Sequence, residues 1–157
     1  MCMRARLVCV DSQAEQVVLA DREKRYPVSP SRMFEVLVDE RDCWVHLRQG
    51  EVAPRVLGQD RPHRMTWSSL WPVSPRDRID FYLRAAGDGS AVRFVWTSDQ
   101  PPDDRGVGLV RQHLNEMLGG DLRGWLHHLA FGGTAAETRQ QPSFTPWRYP
   151  QPELDTR

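Results

Sequence analysis

The chain has almost no lysine: of its 21 basic residues only Lys24 is one, and the rest are arginine. That preference fits a GC-rich genome better than any functional demand. Charge of either sign is not in excess, since 21 acidic residues balance the basic ones. Zero net charge argues against nucleic acid or an acidic membrane surface as the main partner. Cysteine is scarce as well. Cys2, Cys9 and Cys43 are odd in number and show no C-x-x-C spacing, so a disulfide framework is not expected and a reducing, cytoplasmic setting is. No apolar run is long enough to span a bilayer, and Leu7–Val10 is too short for a secretory core. Neither an internal repeat nor a G-x-S-x-G nucleophile motif is present. Gly106-x-Gly108 is only half of a dinucleotide fingerprint and opens a helix without completing it. No cofactor is therefore expected.

What is present is organised around the stretch from Asp103 to Ala130. Val107, Val110, Leu114, Met117, Leu118, Leu122, Trp125, Leu126 and Leu129 recur in steps of three and four, which keeps them on one helical face. Asp103 is suited to cap the helix, Asp104 sits well at the positive end of its dipole, and Gly132-Gly133 supply a stop. About 26 residues make a helix roughly 39 Å long. Gly119 and Gly120 fall in its middle, each costing about 1 kcal/mol against Ala. The unbroken apolar phase favours a bend there over a break capped by Asp121. The two halves then serve different ends, the second as an anchor.

The rest of the chain supplies a partner for that face. Residues 1–16 read as a leader or short strand. Gln16–Val28 is strand-like, and Pro27 marks its end or an edge. Ser29-Pro30 starts a short helix with Met33, Phe34, Leu37 and Val38 as its stripe. A charged turn over 39–42 leads to a helical turn holding Cys43 and Trp44. Val52, Pro54 and Val56 alternate weakly, and residues 58–63 are turn-like. Clean alternation follows at Met65/Trp67, at Ile79/Phe81/Leu83 and at Val92/Phe94/Trp96, with Gly87-Asp88-Gly89-Ser90 as a hairpin turn. Antiparallel strands with one buried aromatic face are expected. Residues 134–157 form a Pro-rich tail whose composition reads as disordered. Its Phe144, Trp147 and Tyr149 could dock on a protein partner.

Three segments in this order resemble START-like (SRPBCC) domains. They are Tyr26-Pro27-Val28-Ser29-Pro30-Ser31-Arg32-Met33-Phe34 through Asp39, with Trp44 following; the turn at Gly87-Asp88-Gly89-Ser90; and Gly124-Trp125 with Leu129. The resemblance covers about residues 21–131, within a domain placed at 17–133. Val28 is larger than the family's usual Ala, and the stretch from Gly50 to Trp71 is short for it. The resemblance implies an α+β helix-grip fold: a curved antiparallel sheet wrapped around a long C-terminal helix, with two short helices after the first strand. An apolar cavity between sheet and helix is also implied.

Fold does not fix function, so the side chains must carry it. The resemblance places Trp67, Phe81, Leu83, Phe94, Trp96, Val110, His113, Leu114 and Met117 at the cavity. Non-catalytic binding of a lipophilic or aromatic small molecule needs nothing more. A polyketide cyclase/dehydrase-type enzyme is the alternative, with His113 or Tyr82 as the acid-base group. A half-exposed His113 paired with Glu116 or Asn115 is the plainer reading of that residue. A chaperone-activator-like interaction module is the third possibility. Cys43 and His46 are three apart, but no further ligand completes a metal set, so no metal is expected. His127-His128 face different sides of the helix, which suits a solvated end.

Overall fold

The computed structural model describes residues 16–131. The leader expected before Gln16, the Gly132-Gly133 stop and the Pro-rich tail lie outside the described residues. The elements run β1 (Val17–Tyr26), α1 (Pro30–Val38), α2 (Arg41–Trp44), β2 (Val56–Asp60), β3 (Arg64–Ser68), β4 (Arg78–Ala86), β5 (Gly89–Ser98), α3 (Asp104–Glu116) and α4 (Leu122–Ala130). A wide π-turn, Met117–Asp121, joins α3 to α4 without interruption. The sheet is curved, antiparallel and five-stranded in the order β1-β5-β4-β3-β2. It wraps around the long C-terminal helix, as the alternation and the helical stripe together require.

Register follows from the hairpin between β4 and β5. Its two-residue turn is Gly87-Asp88, and Gly87 takes φ +56°, which glycine reaches without strain. Gly89 is needed for a different reason. A Cβ there would lie 2.1 Å from the Tyr26 carbonyl oxygen, so only a bare α-carbon lets β5 start against the end of β1. From this turn Phe81 pairs with Phe94 and Ile79 with Trp96, while Met65 and Trp67 join them from β3. All six side chains are buried. Arg78, Asp80, Tyr82 and Arg84 fall on the opposite face. There Asp21 accepts two hydrogen bonds from Arg93 at 2.7 and 2.6 Å. Glu23 and Asp80 meet Arg84 and Arg64 on the same outer surface. Exposed pairs of this kind contribute little stability but agree with the register.

Helix α1 begins as the Ser-Pro signal indicates: the Ser29 hydroxyl accepts the Arg32 N–H and Pro30 is the first helical residue. Its last carbonyls have no partner within the helix, and side chains supply them. Trp44 donates to Val36 at 2.9 Å, Trp67 to Leu37 at 3.0 Å, and Arg41 to Val38 at 2.9 Å. The two indoles therefore lock α1 to α2 and to the sheet while filling the core.

Strand β2 departs from the sequence reading. Val52 and Pro54 precede it, and Gly58–Asp60, expected as a turn, belong to it. It is an edge strand, half-buried only at Val56, so no alternation marks it. The long helix departs too. Asp121 has helical φ and ψ and caps nothing. Instead the Leu122 N–H reaches back five residues to the Met117 carbonyl, so Gly119 and Gly120 are absorbed in a wide turn and the helix does not break. The Leu118 carbonyl in that turn accepts the buried Tyr26 hydroxyl at 2.7 Å.

Candidate functional site

Between sheet and long helix the structure gathers the residues assigned to a cavity wall. Trp67, Phe81, Leu83, Phe94, Trp96, Leu114 and Met117 are buried in one cluster, and half-buried Val110 packs against it. Their packing is close: the rings of Trp67 and Phe81 meet edge-on at 4.7 Å. Tyr82 is not with them. It lies on the outer face, 37% exposed, with the Arg64 and Arg93 guanidinium groups over its ring.

His113 is buried, but its neighbour is neither Glu116 nor Asn115. Nε2 lies 3.0 Å from Oε1 of Glu51, and both side chains are 7% exposed. The Nε2 direction misses an aligned hydrogen bond, so the two groups meet at close range without its geometry. Glu116 is engaged elsewhere, with Arg48 at 2.7 Å and Gln112 at 3.0 Å.

Glu51 is placed by its loop. Gly50 takes φ +84° and turns the chain inward, and the Val52 N–H then bonds the Leu70 carbonyl at 2.9 Å. That fastens the loop beside the end of β3, where Trp71 donates its indole N–H to Oε2 of Glu51 at 3.0 Å. The Arg48 backbone N–H donates to Oε1 at 2.6 Å. Burial alone would raise the Glu51 carboxyl. The His113 imidazole and the N–H donors of Arg48 and Trp71 outweigh it and hold the group below its ordinary value.

The polar cluster extends through paired indoles. Trp71 and Trp96 lie 5.4 Å apart, and Trp96 donates to Asp77 at 2.9 Å. Asp77 is 1% exposed, and its other oxygen has no hydrogen-bond partner. An imidazole and two carboxylates thus edge an aromatic interior, a set able to hold or move a proton. Sequence reasoning missed Glu51, Trp71 and Asp77. Each lies in a loop, and only the Trp-Pro and Gly-Glu steps hint at a fixed geometry there.

The remaining candidates fall elsewhere. His46 faces Asp121 at 3.5 Å. Donating a hydrogen bond to that carboxylate raises its pKa against the opposing effect of burial. Cys43 is buried in the core cluster. Among the described residues no group of three or more His, Cys, Asp or Glu could hold a metal ion, and no helix is long and apolar enough to cross a membrane. A separate pocket of about 540 Å³ opens beside α2, with Arg41, Val45, Leu47 and Pro54 among its lining. It does not contain His113 or Glu51.

No protein-family model matches the sequence, and no curated protein matches it. Solved structures do. Ara h 8.0201 aligns with a TM-score of 0.52 at 17% identity, over 71% of this chain and 97% of that one. The Aha1 dimer from Colwellia psychrerythraea gives 0.52 at 15%, over 66% and 90%. CalU16 from Micromonospora echinospora gives 0.51 at 19%, over 66% and 65%. Identities this low speak to architecture alone. The curved antiparallel sheet, the paired short helices after β1 and the long closing helix, together with these alignments, make this a START-like (SRPBCC-like) helix-grip fold.

Proposed function

We propose that the protein binds a lipophilic or aromatic small molecule between the sheet and the first half of the long helix, with the ligand's polar end at His113 and Glu51. One observation carries this reading: an acid and an imidazole are buried side by side against an aromatic interior. Taking a carboxylate and an imidazole out of water carries a desolvation cost on the order of what their contact returns. Stability alone therefore gives little reason to keep them. Apolar walls with a few convergent polar groups are the usual make-up of a small-molecule site. Val110 and Trp71, both half-buried, mark where this interior approaches the surface.

The test joins native mass spectrometry of the purified chain with titration of a neutral apolar fluorophore such as Nile red. Leu114 is fully buried, so a charge there would threaten the fold itself. Val110→Arg is the better variant, because a long side chain can carry its charge out to water from a half-buried position. The expected result is saturable probe uptake by the wild type, lost in Val110→Arg with little change in melting temperature. A wild type that neither takes up the probe nor carries a small molecule would overturn the proposal.

A second reading has its own support. Cyclase- or dehydrase-type chemistry needs paired acid-base groups, and the 3.0 Å His113–Glu51 contact supplies such a pair. His113 would transfer the proton and Glu51 would orient and charge-stabilise the imidazole. Turnover of a polyketone that is lost in His113→Gln, while binding is kept, would establish it.

A further inference from the structure

The two faces of edge strand β1 are treated differently. On the outer face Asp21 and Glu23 are paired with Arg93 and Arg84. The inner face is read from the register: Arg22 is opposite Phe94 and Lys24 opposite Val92, so both cations share the side on which those two side chains are buried. The long helix lies on that side. A Cβ on Gly119 would be 3.6 Å from the Lys24 ammonium, so this glycine of the wide turn lies directly against it.

Further donors come from the helix. Arg123 is held with its guanidinium 4.8 Å from the Tyr26 ring and one N–H on the Arg25 carbonyl at 2.8 Å. That leaves most of its five donors free. Arg111 reaches β1 as well, donating to the Leu19 carbonyl at 2.5 Å. Asn115, one turn on from Arg111, keeps a buried Oδ1 without a partner. Polar groups along this seam therefore do not satisfy one another. Among the described residues, no carboxylate lies within ion-pair distance of Arg22, Lys24 or Arg123. Burial, with the like charges of Arg123 and Arg22, holds the Lys24 ammonium below its ordinary value. In a chain of zero net charge, cations collected on one seam while the acids of the same strand turn away form an arrangement that self-repulsion opposes. An anion would relieve it.

We propose that the seam between the inner face of β1 and the wide turn of the long helix binds an oxyanion, carboxylate or phosphate, held by Arg22, Lys24 and Arg123, with Gly119 placing no side chain against the Lys24 ammonium. The oxyanion is either a free small ion or a second polar end of a ligand whose apolar body lies in the interior. Only the second case rests on the lipophilic-ligand reading; the first stands without it.

The experiment titrates the full chain with inorganic phosphate and, separately, with dodecanoate below its micelle concentration, following backbone amide shifts by NMR. The expected result is saturable shifts centred on residues 22–26 and 118–123 with at least one of the two. Affinity should fall tenfold or more in Lys24→Gln and in Arg22→Gln, and stay unchanged in Arg84→Gln. The last removes the same charge from the outer face and controls for bulk electrostatics. Binding of phosphate identifies a free oxyanion. Binding of dodecanoate alone identifies an oxyanion carried on an apolar body. Shifts with neither ligand, or equal losses in Arg84→Gln and Lys24→Gln, would overturn the site. Failure of Nile red uptake with phosphate binding intact would sink the lipophilic-ligand reading alone.

Discussion

The His113–Glu51 contact makes an asymmetric prediction. At pH 7 an imidazole that loses its partner can turn neutral at almost no cost, whereas neutralising a carboxyl group of ordinary pKa, about 4.3, costs about 3.7 kcal/mol. His113→Leu leaves Glu51 charged at 7% exposure, still served by Arg48 and Trp71. The neutralisation cost sets the ceiling. With two donors remaining, a loss of about 2–3 kcal/mol is expected. Glu51→Leu removes the charge itself. It orphans the half-buried Trp71 N–H, while the exposed Arg48 N–H can turn to water, so about 1–2 kcal/mol is expected. Acid should separate the two further. Glu51 has a lowered folded value, so its contribution in the wild type is full above the unfolded pKa of about 4.3 and fades as pH falls through the folded one. In His113→Leu that value rises, and the penalty relative to wild type shrinks on going from pH 7 to pH 4. Urea unfolding followed by far-UV circular dichroism at both pH values measures each term. A larger loss in Glu51→Leu than in His113→Leu at pH 7, or a penalty for His113→Leu that persists unchanged into acid, would refute the reasoning that the imidazole stabilises the Glu51 carboxylate.

Four further outcomes are expected from the same unfolding measurements. Gly89→Ala should lose at least about 1–3 kcal/mol, because the added Cβ meets the Tyr26 backbone oxygen at 2.1 Å and only parting β1 from β5 relieves it. Gly120→Ala should gain up to about 1 kcal/mol, since a Cβ there meets nothing within 4 Å; a loss would show that the wide turn itself needs glycine. Leu122→Ala, at 0% exposure, should cost about 2–5 kcal/mol. Leu129 is only half-buried, less than the anchoring role read from its spacing requires, and Leu129→Ala should cost clearly less than Leu122→Ala.

Where a segment's environment repeats with its own period, the sequence carried the answer. Ile79, Phe81 and Leu83 alternate because one face of β4 is core and the other water. Ser29-Pro30 starts α1 because a hydroxyl and a missing N–H both suit the first turn. The hairpin glycines were legible as a turn, but not the separate demand at Gly89, which comes from Tyr26, 63 positions earlier in the chain. β2 is placed too early by its sequence, at Val52, Pro54 and Val56, because an edge strand half-buried at a single residue has no period to show. The site was half visible. His113 stood out as a helix histidine next to the apolar stripe, yet its acidic partner lies 62 positions away in a loop. No local pattern singles Glu51 out from other surface glutamates. Tyr82 shows the reverse: its alternation with Phe81 and Leu83 already placed it on the far side of the sheet from His113.

The long helix supports two different environments, and the wide turn separates them. Below the turn, α4 is fixed from two directions: buried Trp125 donates to Glu40 at 3.2 Å, Glu40 in turn binds Arg32 of α1, and Arg123 clasps β1. Above it, α3 presents His113 to a loop glutamate and Arg111 to a strand carbonyl, contacts made with the periphery of the sheet. An uninterrupted α-helix would pass from one set of partners to the other at a fixed phase. The extra residue accommodated at Met117–Asp121 shifts that phase. It also leaves the Leu118 carbonyl to the Tyr26 hydroxyl and brings Gly119 against Lys24. The glycines that lower helix propensity here thus occupy the segment where a bare backbone faces β1. A bulky side chain at Gly119 would press on the Lys24 ammonium without any need to unfold the helix around it.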